Sequence, residues 1–282
     1  MSMIVIIAAV LLEHFLSIFR PLRRLGWFDK YETFVQSKIP ASYHGLILLA
    51  AIIIPSLIVV LLLQVVFSGL LYSIGEFVFQ LAVLLYCLGN STMRQEVEEC
   101  NALLKDGEQE KLDAYYKETF HMALPDGKSV DHAAILDALF VQANQRLFGV
   151  VFWFAILGPI GAVLYRFVQH LGVKFVVHND QASLYKSAAW FASILDWVPA
   201  RLLSFTFGLI GHFVSVFPVW CQFIKVGLNQ NDQVLFDCGK QALSLGENDE
   251  ELVAHAQQDA ALGLINRSLL VWLVVIALVV LV

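Results

Sequence analysis

The stretch LILLAAIIIPSLIVVLLLQVVF (46–67) carries no charged residue, and Ser68 alone separates it from GLLYSIGEFVFQLAVLLYCLG (69–89). A helix rises about 1.5 Å per residue, so roughly 20 apolar residues cross the ~30 Å hydrocarbon layer. The two runs therefore predict a hairpin of membrane helices. A third run of the same kind, LGLINRSLLVWLVVIALVVLV (262–282), has Arg267 near its start, able to snorkel toward water.

The rest of the chain agrees with a membrane class. Of 282 residues, 59% are hydrophobic and 15% charged, and the mean hydropathy is +0.71. Soluble domains carry about 25% charged residues. The net charge of -6 offers no basic face for a nucleic acid, so no such partner is expected. Cys87, Cys100, Cys221 and Cys238 form no CxxC pair, which fits reduced thiols. The opening apolar run 3–19 lacks a preceding basic region and a small-residue cleavage site, and Glu13-His14 interrupts it. It reads as a retained first membrane segment.

Two further apolar stretches have weak centres. FGVVFWFAILGPIGAVLYRFV (148–168) contains Leu157-Gly158-Pro159-Ile160-Gly161, and LSFTFGLIGHFVSVFPVWCQFI (203–224) contains Gly208, Gly211, His212 and Pro218. Central Gly and Pro suit either a kinked span or a re-entrant turn. The expected fold class is all-α: a polytopic helical membrane protein with four to six membrane segments, re-entrant half-helices among the options, and cytoplasmic helical segments. The organisation is 1–89 with three membrane segments and 90–147 as a cytoplasmic helical segment. A membrane region 148–224 follows, with 169–202 as its connection, then a polar helical segment 225–261 and the final helix 262–282. With six full spans, 20–45, 90–147 and 225–261 share one side and hold 13 Lys and Arg, against 3 in 169–202. The positive-inside rule makes the richer side cytoplasmic. That places Asp196 outside, unless 148–168 is re-entrant.

Within 90–147, STMRQEVEECNALL (91–104), EQEKLDAYYKETF (108–120) and SVDHAAILDALFVQANQRLF (129–148) predict three helices. Ser129 is the expected N-cap of the third and LPDG (124–127) the turn before it. DQVLFDCGKQALSL and NDEELVAHAQQDAAL predict two more in the polar segment before the last span.

Carboxyls at membrane depth are costly unless paired or protonated, which singles out Glu13 and Glu76. The alternatives are pairing of Glu13 with a base such as Arg20 and an inward-facing Glu76. His212 lies inside an apolar run; no HExxH or comparable pair occurs, so no metal site is expected. No phosphate-loop, dinucleotide or nucleophile-elbow motif is present. Gly158-x-x-Gly161 and Gly208-x-x-Gly211 read as close-packing sites.

ILDWVPARLLSF (194–205) sets an acid, a tryptophan, a proline and a base together at an apolar boundary. Pro199 suits the first turn of a helix, which would place Asp196 at that helix's N-terminus, where negative charge is favoured. Trp197 suits the interfacial aromatic belt. The pattern supports a structural Asp196–Arg201 pair or an anion-binding site.

Asp196-Trp197-Val198-Pro199-Ala200-Arg201-Leu202 resembles the signature of the CobD/CbiB superfamily. Phe152-Trp153, Gly158, Gly161-Ala162 and Tyr165-Arg166 follow that family's order, and the resemblance covers about 85–225. Within it the chain looks most like the AmpE family, through Glu13, Leu195–Pro199, Leu209-Ile210-Gly211-His212 and Pro218-Val219-Trp220. That likeness implies an inner-membrane modulator of β-lactamase induction and cell-wall stress, with membrane lipid and a cell-wall-recycling or signalling protein as partners and no cofactor. The synthase branch implies the alternative: an ATP- and Mg-dependent ligase joining an amino-alcohol phosphate to a corrinoid carboxylate. Gln169 and Gly172 stand where those synthases carry Asn and Asp. A small transporter or lipid-binding protein is the third expectation. The candidate functional residues are Asp196, Arg201, Trp197, Tyr165, Arg166, Glu13, Glu76 and His212, with no catalytic role assigned to any.

Overall fold

A computed structural model describes residues 2–15, 25–39, 44–69, 73–88, 93–122, 129–177, 182–224, 227–243 and 251–281. Among them every regular element is helical: α1 (Ser2–Phe15), α2 (Gly26–Lys38), α3 (Gly45–Gly69), α4 (Ser73–Cys87), α5 (Met93–Lys105), α6 (Gln109–Phe120), α7 (His132–Ala143), α8 (Gly149–Leu157), α9 (Pro159–Val177), α10 (Ser183–Ile210), α11 (Phe213–Ile224), α12 (Asn231–Ala242) and α13 (Glu251–Leu281). A π-helical turn, Asn144–Phe148, joins α7 to α8. The chain is an all-α polytopic membrane protein.

Among the described residues four helices are long and apolar enough to span: 45–68, 132–157, 183–210 and 255–279. The first and last match the sequence expectation. Of the second member of the predicted hairpin, the described residues form a helix of 15 residues, α4. The middle of the chain is also cut differently. Helix runs through the segment boundary placed at 148, from His132 to Leu157. It stops at Gly158, whose φ of 65° lies in the left-handed region that glycine adopts without steric cost. Asp131, not Ser129, caps α7: its side chain accepts from the Ala134 N–H at 2.7 Å. The apolar stretch 203–224 splits at Gly211-His212, and the described part of the polar helix expected before the last span, 251–262, is continuous with that span inside α13. The expected turn at 124–127 lies outside the described residues.

The helices form two compact units, 1–91 with 150–192 and 92–149 with 193–282. In the first, α4 packs on α1, α3 and α9, and α9 also meets α3. Phe28 of α2 is fully buried and stacks on Phe167 of α9 at 4.2 Å between ring centroids. α9 approaches its neighbours through glycine. A Cβ on Gly161 would stand 2.3 Å from the Trp153 carbonyl oxygen, and one on Gly172 would stand 3.2 Å from Ala189 Cα.

In the second unit α7 is central, packed by α5, α6, α12 and α13, while α11 packs on α12. Phe120, Leu139, Phe140, Phe148 and Phe207 form a fully buried core. Gly239 of α12 receives the Phe140 ring, and Gly211 faces the Ala242 backbone of the same helix. The close-packing expectation thus holds for Gly161 and Gly211, while Gly158 serves the turn.

Candidate functional site

Pro199 lies inside α10, sixteen residues from its start at Ser183, so Asp196 is not at a helix N-terminus. The local rule assigns proline to a first turn because it has no N–H for the carbonyl four residues back. Packed transmembrane helices tolerate it when neighbouring groups satisfy the freed backbone. The anion site expected at a helix start therefore has no helix start to stand on.

What surrounds the motif instead is a set of buried amides. Asp196 and Arg201 are 7% and 5% exposed. Asp196 Oδ1 accepts from Asn144 Nδ2 at 3.1 Å. Asn144 opens the π turn, where the Gly149 N–H reaches back five residues to the Asn144 carbonyl. Such turns insert an extra residue into a helix and recur at functional sites. Asn144 Oδ1 is buried with no hydrogen-bond partner.

Arg201 donates through Nη1 to Asn231 Oδ1 at 2.8 Å and to the Trp197 carbonyl at 3.0 Å, and through Nη2 to the Phe223 carbonyl at 3.3 Å. Its guanidinium lies 4.3 Å from the Trp197 ring centroid, within cation–π range. Asn231 in turn donates to the Ser193 carbonyl, and Trp220 Nε1 donates to the Arg201 carbonyl. Arg201 thus ties α10 to α11 and to the start of α12.

A second buried arginine was not singled out from sequence. Arg146, in the same π turn, donates from Nη1 to both oxygens of Glu96 at 2.8 Å, from Nε to Gln142 and from Nη2 to the Thr119 carbonyl. The usable signal was a cation in the otherwise apolar run ILDALFVQANQRLF, which needs an acid somewhere. Its partner is 50 residues away, so the signal has no address.

Tyr165 and Arg166 belong to the first unit, and Tyr165 is fully buried there. Glu76 accepts from Gln80 Nε2 at 2.8 Å, one turn along α4. His212 is exposed in the gap between α10 and α11, and its carbonyl accepts from the Ser215 and Val216 N–H groups. The Glu13 side chain and Arg20 lie outside what is described. The first unit also holds a charged network that the sequence did not suggest. Asp29 Oδ1 meets His170 Nε2 and Lys174 Nζ, each at 2.8 Å, and Lys174 also pairs with the buried Glu32. Burial opposes the Asp29 charge, but the hydrogen bonds from Lys174 and His170 prevail and hold its carboxyl below the usual value.

The likeness at 194–205 can now be set against known proteins. The family described as "Regulatory signalling modulator protein AmpE" matches residues 26–282. The chain belongs to the AmpE family. It is also similar to a protein named "Cobalamin biosynthesis protein CobD" from Chromobacterium violaceum, 26% identical over 150 residues, 51% of this chain and 47% of that protein. A protein of the same name from Stutzerimonas stutzeri is 29% identical over 96 residues, 34% of this chain and 31% of that protein. The match spans less than half the length of either relative. No solved structure matches the chain.

Proposed function

We propose that this AmpE-family chain is a regulatory protein of the bacterial inner membrane, acting in signalling that sets β-lactamase induction and the response to cell-wall stress. The observation that carries the reading is the family match across 26–282, which takes in both units. The packing at Gly172 adds to it. The synthase branch resembles this chain but carries an Asp at that position. Here a Cβ would sit 3.2 Å from Ala189 Cα, tighter than ordinary contact, so α10 would have to give by a few tenths of an ångström before a carboxylate could be placed. The buried Asp196–Asn144 and Arg201–Asn231 bonds then serve to hold α10 in one setting against its neighbours, and a signalling partner would read that setting.

The test is a clean deletion in a strain with an inducible β-lactamase, complemented by the wild-type chain or by Asp196→Asn. Altered induction on deletion, restored by the wild type, is the expected result. Unchanged induction across a range of inducer would sink the reading.

The CobD likeness, at 26% identity, supports a second reading, an amide ligase using ATP and Mg. Purified chain incubated with ATP, Mg, an amino-alcohol phosphate and adenosylcobyric acid yields the amide product only under that reading.

A further inference from the structure

The first unit contains a half-open groove of about 510 Å³ between α2, α3, α4 and α9. Its walls include Trp27, Pro55, Val59, Leu63, Phe79 and Tyr86, and no charged side chain lines it. Val59 and Leu63 are exposed, on a helix whose Ile54, Ile58, Leu62 and Val66 are exposed too. α3 is a membrane-spanning helix, so the mouth of the groove opens into hydrocarbon. An acyl chain is what a bilayer offers on that side.

Apolar walls alone do not select one lipid from another, because lipid tails are as apolar as the walls. Selection must come from the polar end. That end carries Trp27 and Tyr86, amphipathic rings of the kind that sit at headgroup level. Trp27 Nε1 donates to the Tyr86 hydroxyl at 2.7 Å. The two other hydroxyls of the groove, Tyr31 and Ser56, are turned inward to the Ile52 carbonyl. The Tyr86 O–H keeps its own proton, which no described residue accepts. Arg166 lies within electrostatic reach of Tyr86 and of His170. It stands three residues beyond Val163 and next to Phe167, two wall residues, so helical spacing brings it to the groove's side of α9. A proton donor and a cation at the wet end of an apolar groove are complementary to a phosphodiester above an acyl chain.

We infer that this groove holds one anionic glycerophospholipid, an acyl chain lying along Val59, Leu63 and Phe79 and the phosphate meeting the Tyr86 hydroxyl and Arg166.

The experiment uses the full chain in nanodiscs of phosphatidylcholine. One preparation is doped with a phosphatidylglycerol carrying a photoactivatable acyl chain, the other with the matching phosphatidylcholine probe. Crosslinks are mapped by mass spectrometry. The expected result is labelling of peptides from α3 and α4 that favours the phosphatidylglycerol probe about tenfold, the ratio one charge-assisted hydrogen bond supports. Tyr86→Phe and Arg166→Gln keep the labelling and bring that ratio toward one. Ala82→Phe, which fills the groove, removes it for both probes. The ratio is read within one folded sample, so loss of protein does not imitate loss of preference. Equal labelling of the wild type by both probes would mean ordinary boundary lipid and would overturn the proposal. Labelling that survives Ala82→Phe would overturn it as well.

Discussion

The two units treat charge inside an apolar chain in different ways. In the first, the charged Asp29, Glu32 and Lys174 meet beside the His170 ring, and Asp29 keeps 41% of its side-chain surface exposed. In the second, Asp196 and Arg201 are buried and are met by the amides of Asn144 and Asn231. An amide brings both a donor and an acceptor without a further charge to desolvate. Near water a counter-charge is a workable partner; at depth an amide orients a charge at lower cost. The contrast teaches that the Asp29 cluster relies on counter-charge, while the Asp196–Arg201 cluster fixes its geometry through amides.

The sharpest way to break this contrast is at a well-buried ion pair of the second unit, Arg146–Glu96. Their side chains are 10% and 12% exposed. Glu96→Ala strands a buried guanidinium, and removing one partner of such a pair costs about 3–5 kcal/mol. Thermal unfolding in detergent should show a larger loss for Glu96→Ala than for Asn231→Ala or Asp29→Asn. Gln at 96 keeps one acceptor and should recover part of it. A Glu96→Ala protein as stable as the wild type would show that the pair is solvated.

That pair also marks where sequence reading stops. The hairpin's first helix and the C-terminal span were legible because hydrocarbon thickness fixes a length that composition alone reveals. Close packing at Gly161 and Gly211 was legible for a similar reason, since only glycine permits such an approach. The path of α10 through Pro199 was not. Local preference favours a helix start at proline, and only packed neighbours override it. The candidate site was half legible. Asp196, Trp197 and Arg201 stand in one string, but Asn144 and Asn231 lie 52 residues before Asp196 and 30 after Arg201. An asparagine in an apolar run has many possible partners, and periodicity does not choose among them. The π turn that presents Asn144 depends on a backbone register that side-chain spacing does not encode.

A smaller effect is expected where an amide is removed and the charge stays. Asn231→Ala deletes the acceptor for Arg201 Nη1 and the donor to the Ser193 carbonyl. Leaving buried groups unsatisfied costs about 1–3 kcal/mol. The Trp197 and Phe223 carbonyls still hold Arg201, which keeps the loss below that of Glu96→Ala. Fluorescence of Trp197, whose ring carries the guanidinium, reports whether Arg201 has moved. A shifted melting temperature with an unchanged spectrum would place the effect at Ser193 rather than at the arginine.

The smallest effect belongs to the first unit and is readable only by varying pH. Asp29 is ionised more readily in the folded chain than in the unfolded one, since Lys174 and His170 outweigh the cost of burial. A depressed folded value means that the unfolded chain takes up the proton first as pH falls. The Asp29 contribution to stability is therefore complete above the ordinary carboxyl value of 3.8 and is lost as pH drops from there through the lower folded value. With 41% of its side chain exposed, water and salt screen the interaction, and its size falls in the range of at most about 1 kcal/mol seen for accessible pairs. Asp29→Asn should lower the melting temperature slightly at neutral pH and should lose part of the wild type's decline in acid. Raising the salt should bring the two proteins together, because a screened pair weakens where a buried one does not. A gap that persists in high salt would mean that Asp29 is shielded like Asp196, and the distinction between the two units would fail at its most exposed member.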